Sequence, residues 1–163
     1  MGAGIPPATT LADCLEKPLI YIRDKPKPHG LKNQIEGIDI EFNLQGREVL
    51  LIEDLISTGG SSVRAVQAIR NANGECNYCF SIFDYGFDTS QKMFAGEIPY
   101  DKAGNRLDSS CEINSLLTYD VLLEVARETG YINNQQTEML AEWRADPFGW
   151  GEKHGFPKIK NEQ

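Results

Sequence analysis

The sequence predicts an α/β fold built on an open parallel sheet flanked by helices, and three observations carry that expectation. Val49-Leu50-Leu51-Ile52 is a short, branched, uninterrupted apolar run, the pattern of a strand buried on both faces of a parallel sheet. It ends on Glu53-Asp54 and opens through the small residues Ser57 to Ser62 into a helical pattern marked by Val63, Val66 and Ile69. Cys76 to Phe83 then supplies a further strand, with Asp84 to Asp88 as the loop at its carboxyl end, where open parallel sheets place ligand contacts.

The other elements follow in chain order. Ala8, Leu11, Ala12 and Leu15 recur at helical spacing, which predicts a helix with one buried face over residues 7 to 16. Pro18 to Ile22 reads as a strand. Residues 24 to 34 hold two prolines, a glycine and four basic side chains without apolar periodicity, so they read as an exposed loop, and a mobile lid is the natural assignment. Weak alternation from Ile35 to Phe42, then Gln45-Gly46 ahead of a strand starting near Glu48, predicts a short hairpin. Ser57 and Thr58 are expected to cap the helix after the small-residue loop, and Asn73-Gly74 to close it. Residues 89 to 95 read as a short helix, and 96 to 112, with Gly96, Pro99, Gly104 and Ser109-Ser110, as an irregular excursion. Leu116-Leu117-Thr118 precedes a helix over 119 to 129 with Val121, Leu122 and Val125 on one face and Gly130 as its stop. A last helix begins at Asn134, holds Met139, Leu140 and Trp143, and ends at Pro147; residues 148 to 163 read as a polar tail.

Composition bounds what such a chain does. At 163 residues, 40% hydrophobic and 25% charged, a single domain spanning 1–163 is expected. The net charge of −8 argues against nucleic-acid binding through phosphate contacts, although Arg23, Lys25, Lys27 and Lys32 form a local cluster of a size suited to a small polyanion. No run approaches the roughly 18 apolar residues of a membrane span, and the first residues lack a signal-peptide pattern, so a cytoplasmic protein is expected. Pro6 stands where a myristoylation signal wants Ser or Thr. Of four cysteines, Cys76 and Cys79 form one Cys-x-x-Cys without a second ligand pair at zinc-site spacing, and strand alternation would point them to opposite faces; with Cys14 and Cys111 they read as ordinary reduced thiols.

The loop after Asp54 carries the chemistry. Backbone N–H groups and hydroxyls from Ser57 to Ser62, at a helix N-terminus, suit a phosphate. Glu53 and Asp54 would repel an adjacent anion but accept hydrogen bonds from vicinal hydroxyls. A ribose 5-phosphate fits both halves.

Residues 49 to 62 resemble the phosphoribosyl diphosphate motif of the type I phosphoribosyltransferases. Tyr21 to Gly30, followed by Asn33 to Gly37, looks like the catalytic loop of orotate phosphoribosyltransferases, and Ala3-Gly4-Ile5-Pro6-Pro7-Ala8 like the end of that family's pyrophosphate loop. Ile82 to Phe87 and Leu140 to Arg144 match words of a bacterial branch, so the resemblance covers nearly the whole chain. It implies transfer of the phosphoribosyl group from 5-phosphoribosyl 1-diphosphate to orotate, giving orotidine 5′-monophosphate and pyrophosphate, in a homodimer. It also implies roles. Lys27 and His29 would close over pyrophosphate with Arg23 anchoring the lid, and Glu53 and Asp54 would hold the ribose, Asp54 also moderating ring charge. Leu55, Ile56, Ser57, Thr58, Gly59, Gly60 and Ser61 would line the 5-phosphate. Ser57 and Tyr85 would contact orotate. Mg²⁺ would arrive on the substrate, with no dedicated protein cage. Asp24 departs from a second lid lysine, and Tyr85 stands near an orotate-contacting arginine of some relatives. The family's first strand and orotate-covering hood are expected to be missing from this sequence.

Rival readings stand beside these. The chain could serve another base, sense phosphoribosyl diphosphate as a nucleic-acid-binding regulator, or be an inactive fragment whose strands expose apolar faces. Trp143 and Trp150 read as packing, His154 as surface, and Tyr85 as either pocket wall or loop packing.

Overall fold

The computed structural model describes residues 3–23, 34–38, 44–98 and 110–157. β3 (Glu48–Ile56), β4 (Glu75–Asp84) and β5 (Glu112–Thr118) form a parallel three-stranded sheet in the order β3-β4-β5, the predicted open α/β sheet. α2 (Gly60–Asn71) links β3 to β4, and α3 (Asp88–Phe94) falls between β4 and β5. Val63, Val66 and Ile69, one turn apart along α2, are fully buried in one core with Leu51, Ile56 and Cys79. Burying each such aliphatic side chain contributes about 1.5–3 kcal/mol, so this seam anchors the helix to the sheet.

β5 lies where the sequence reads only as irregular chain followed by Leu116-Leu117-Thr118. Its alternation is weak because Ser115 sits between Ile113 and Leu117; the structure satisfies that serine with a 2.6 Å hydroxyl contact to buried Ser81 on β4. The opposite sheet face differs from expectation as well. Leu50, Tyr78, Phe80, Ile82 and Leu116 are all substantially exposed, so the β3 apolar run is buried through Leu51 but open at Leu50. Parallel sheets ordinarily have both faces covered.

α1 (Ile5–Cys14) begins two residues before the expected start. Pro6 and Pro7 are accommodated because N–H groups in a first turn have no intrahelical partner. β1 (Tyr21–Ile22) is shorter than Pro18 to Ile22, and it pairs antiparallel with β2 (Ile35–Glu36). The predicted lid is therefore the connection between these strands; residues 24–33, including Asp24, Lys25, Lys27 and His29, lie outside the described residues.

The Gln45-Gly46 turn forms, with both residues at positive φ and Arg47 N–H donating to the Leu44 carbonyl at 2.9 Å. The first arm of the expected hairpin falls largely on residues 39–43, outside the described residues, and Leu44 lies in no strand. Leu44 and Gly46 instead donate to the carbonyls of Ala72 and Asn73, which docks the turn on the α2–β4 connection.

A register irregularity at the start of β4 changes which side chains meet. Glu48 pairs with Glu75 and Leu50 with Tyr78, so β4 carries one extra residue there, a bulge. It reverses the alternation and brings Cys76 and Cys79 into the same core, both fully buried, where simple alternation predicts opposite faces.

The chain divides into two compact units, Met1–Tyr119 and Asp120–Gln163. In the second, α4 (Tyr119–Glu128, its first residue in the first unit) ends ahead of Gly130 at φ 72°. α5 (Asn134–Ala145) opens with a reciprocal capping box between Asn133 and Gln136. Arg144 pairs with Asp120, tying α5 to the start of α4. The predicted polar tail contains a short helix, α6 (Trp150–Lys153). The Trp150 ring stacks on His154 at 4.2 Å, and Nε2 of His154 lies 3.1 Å from the Glu142 carboxylate, so this exposed histidine is partnered. Among the described residues no helix is long and apolar enough to cross a membrane.

Candidate active site

The carboxyl end of the parallel sheet gathers the predicted phosphate loop, the acidic pair and the loop after β4. β3 ends at Ile56, and Ser57, Thr58 and Gly59 turn the chain into α2. Gly59 itself is the N-cap, at φ +78°, so the cap lacks a side chain and the expected capping by Ser57 or Thr58 does not occur. The first-turn N–H groups are thus not consumed by a capping side chain, and the positive end of the helix dipole faces the loop. That is the arrangement an anion needs.

Gly59 is required there by space as well as by φ. A Cβ on it would lie 3.1 Å from Ser90 Cβ, 3.2 Å from Ser90 Cα and 3.3 Å from Phe94 Cε2. The start of α3 is itself fixed: the Ser90 hydroxyl donates to the Phe87 carbonyl at 2.8 Å, and buried Asp84 accepts from Gly86 N–H at 2.8 Å. Tyr85 N–H donates to the Ile56 carbonyl at 3.0 Å, joining the two carboxyl-end loops.

The acidic pair divides by face, as strand alternation requires. Glu53 turns toward α2, where its Oε1 accepts a 2.7 Å hydrogen bond from the buried Ser62 hydroxyl. Burial pushes the Cys79 thiol up from its ordinary value, and the nearby Glu53 carboxylate adds to that rise. Asp54 is half-buried on the other face and makes no side-chain hydrogen bond to another described residue. The amino end of α1 reaches this segment, since a Cβ on Gly4 would stand 3.1 Å from the Ile52 carbonyl and 3.6 Å from Asp54 N. The structure therefore brings together the Ser57–Ser61 loop, the acidic pair, Tyr85 and the start of α1.

Other candidates sit differently. Arg23 is on the β1–β2 ladder, its Nε 2.7 Å from Glu36 Oε1 and its guanidinium over the Tyr21 ring. Ile56 is buried in the core, so only its backbone faces the loop, while Leu55 is 41% exposed. The Tyr85 ring stacks on Phe87 at 5.3 Å, meets Phe83 edge-on at 5.1 Å and leans on Tyr119, contacts that favour its packing reading. The sequence reads the Ser62 hydroxyl as part of the phosphate loop, whereas here it is buried and donates to Glu53; Ser90 gave no signal in the sequence.

Removing the Ser62 hydroxyl tests the Glu53 anchor. Ser62→Ala is expected to lower stability by about 1.5–3 kcal/mol, the net contribution of a hydrogen bond to a carboxylate, as read by urea denaturation. A midpoint unchanged from the parent would mean that the hydrogen bond contributes nothing.

A glycine-turned loop and an acidic pair at the carboxyl edge of a parallel sheet define an α/β protein with its candidate site at that edge. The chain belongs to the phosphoribosyltransferase family, whose phosphoribosyl transferase domain matches residues 1–92. It is 39% identical over 149 residues to an orotate phosphoribosyltransferase of Listeria innocua serovar 6a, covering 91% of this chain and 64% of that protein. A Lactiplantibacillus plantarum protein of the same name is also 39% identical, with 91% and 63% covered. The chain thus spans less than two thirds of the length of these curated relatives. Among solved structures, Leishmania donovani UMP synthase is similar at a TM-score of 0.58 and 26% identity, over 86% of this chain and 27% of that one. Orotate phosphoribosyltransferase from Aeropyrum pernix shares the fold at a TM-score of 0.56 and 24% identity, over 80% and 62%.

Proposed function

We propose that the protein transfers the phosphoribosyl group of 5-phosphoribosyl 1-diphosphate to orotate, releasing pyrophosphate, as one catalytic domain of pyrimidine nucleotide synthesis. The observation that carries this reading is the uncapped, glycine-turned start of α2 beside Asp54, with the start of α1 against the same strand. The names of the relatives favour orotate as the base.

In this reading the Ser57–Ser61 backbone holds the 5-phosphate and Asp54 accepts hydrogen bonds from the ribose hydroxyls. Glu53, already fastened by Ser62, sets the position of the strand end and of the first turn of α2. Lys27 and His29 close over the diphosphate as the C1–O bond breaks, adding positive charge where negative charge develops and excluding water from the cationic sugar. Arg23, fixed to Glu36, holds the base of that lid. Asp54 offers carboxylate oxygen, the ligand class Mg²⁺ takes, directly or through its retained waters. Mg²⁺, when bound with the diphosphate, supplies neutralising charge to the leaving group. Family resemblance further implies a cytoplasmic homodimer, which sedimentation at graded concentrations would test for assembly.

The deciding experiment is pyrophosphate release from 5-phosphoribosyl 1-diphosphate with Mg²⁺, in parallel with orotate, uracil, hypoxanthine and no base. Orotate-dependent release is expected. Release with a different base would reassign the acceptor, and silence with every base would overturn catalysis by this chain while leaving ligand binding to be measured separately. Asp54→Ala is expected to weaken phosphoribosyl diphosphate binding by about tenfold, the equivalent of roughly one hydrogen bond to a charged group, without the stability loss of Ser62→Ala. A variant that saturates normally in a calorimetric titration would remove the ribose role.

A further inference from the structure

We propose that Cys76 and Cys111 form a hydroperoxide-sensitive dithiol that closes into a reversible disulfide joining the start of β4 to the start of β5. Three structural features converge on the pair. The β4 bulge turns Cys76 into the core that also contains Cys111 and Cys79. Tyr78 pairs with Glu112, so Cys76 and Cys111 stand at neighbouring starts of adjacent parallel strands. Nη2 of Arg70 donates to both the Cys76 carbonyl at 3.0 Å and the Ser110 carbonyl at 2.6 Å, clamping the two backbones under one guanidinium group.

The chemistry distinguishes the members of the cluster. Each thiol donates to a backbone carbonyl, Cys76 Sγ to Tyr78 at 3.8 Å and Cys111 Sγ to Glu112 at 3.9 Å; the neighbouring Cys111 side chain, with the nearby Arg70 charge, holds the Cys76 thiol below its ordinary value, while Cys111 is pushed up by the same neighbour. Cys76 is thus the sulfur that ionises first, and a neighbouring thiol is in place to resolve it. Cys79 is held protonated by burial beside Glu53 and is a spectator. Cys76 is fully buried and Cys111 nearly so, which selects an oxidant of water's size over a bulky disulfide.

The step balances with hydrogen peroxide as the co-reactant. The Cys76 thiolate attacks one peroxide oxygen, the O–O bond breaks, and the departing hydroxide takes a proton to leave as water; Cys76 is then a sulfenic acid. The Cys111 sulfur attacks the Cys76 sulfur, the S–O bond breaks, and the hydroxyl leaves with the Cys111 proton as a second water. Two thiols lose two electrons and two protons, and one peroxide becomes two waters. The disulfide closes the chain between residues 76 and 111, which includes the loop after β4 and α3, so it constrains the unfolded state of one wall of the candidate site.

The test oxidises the full chain with graded hydrogen peroxide, blocks remaining thiols with N-ethylmaleimide, and maps peptides without reduction. Exposed Cys14 reports in the same sample that oxidant was sufficient. The expected result is a Cys76–Cys111 cross-link, a 2 Da mass loss in that peptide pair, reversal by dithiothreitol, and a thermal midpoint raised by roughly 5 °C or more. Cys111→Ser abolishes the link and Cys79→Ser retains it. Full oxidation of Cys14 with Cys76 and Cys111 still alkylated as free thiols, or a Cys76–Cys79 link, overturns the proposal. If a variant fails to fold, the wild-type map alone decides.

Discussion

Gly59→Ala is expected to weaken binding of 5-phosphoribosyl 1-diphosphate by about tenfold or more and to lower the thermal midpoint by roughly 2–8 °C. The two effects have one origin. At φ +78° an L-residue incurs about 1–2 kcal/mol of backbone strain, and the new methyl group lies within 3.1–3.3 Å of Ser90 and Phe94. Relaxation requires either the loop to swing or α3 to retreat, since Ser90 is fully buried and its hydroxyl is bonded to Phe87. Swinging the loop withdraws the N–H groups at the start of α2 from the phosphate, and about 1.4 kcal/mol corresponds to the tenfold change. A strain of this size moves the midpoint by roughly 2–4 °C per kcal/mol in a chain of this length. Titration calorimetry and a thermal melt on the same sample separate the outcomes. A lower midpoint with normal affinity would leave Gly59 a packing residue and remove the loop from the phosphate site.

The second large effect is expected at Lys27. Lys27→Ala should cut orotate-dependent turnover by about 10²- to 10³-fold, the range seen when one donor to a developing anion is removed, while KM for 5-phosphoribosyl 1-diphosphate changes far less. The asymmetry follows from when the charge is needed. Pyrophosphate gains negative charge as the C1–O bond breaks, so a lid ammonium interacts more strongly with the transition state than with bound substrate. Lys27→Arg keeps the charge but changes its shape and reach, and should recover part of the loss. Single-turnover kinetics on protein with established activity make the measurement. Turnover equal to the parent would withdraw the lid role from Lys27.

Much of the fold was legible because its signals are local. The Val49–Ile52 run, the small-residue loop and the Val63, Val66, Ile69 spacing each specify an element within a few residues, and the order strand, loop, helix specifies the α/β class. Gly130 and Pro147 ended helices where backbone conformation dictates. β5 was not legible, because an edge strand whose inward face includes Ser115 lacks the apolar alternation by which strands are recognised; its serine makes sense only opposite Ser81. The docking of the Gln45-Gly46 turn on the α2–β4 connection was not legible, because a turn fixes the local reversal of the chain but not the partner against which it docks. α6 was missed because one turn of helix has no periodicity, and its ring contacts with His154 and Phe156 come from folding back.

The candidate site shows the same division. Its residue types and their spacing were readable, since acidic residues before a glycine-turned loop at a helix start state their chemistry in sequence. The division of Glu53 from Asp54 was not, because it depends on which sheet face meets α2. The meeting of Gly59 with Ser90 was equally hidden, being a contact between separate loops.

By itself, then, the sequence determined the class of sheet, the small-residue loop that opens α2 and the family resemblance, all of which rest on bonded neighbours and short periods. Only the tertiary structure decided that Glu53 is fastened to Ser62 while Asp54 faces away, and that Cys76, Cys79 and Cys111 share one core. A single bulged residue reverses strand parity, and parity decides which side chains can touch; that choice is made by packing across the sheet, which no local stretch of sequence records.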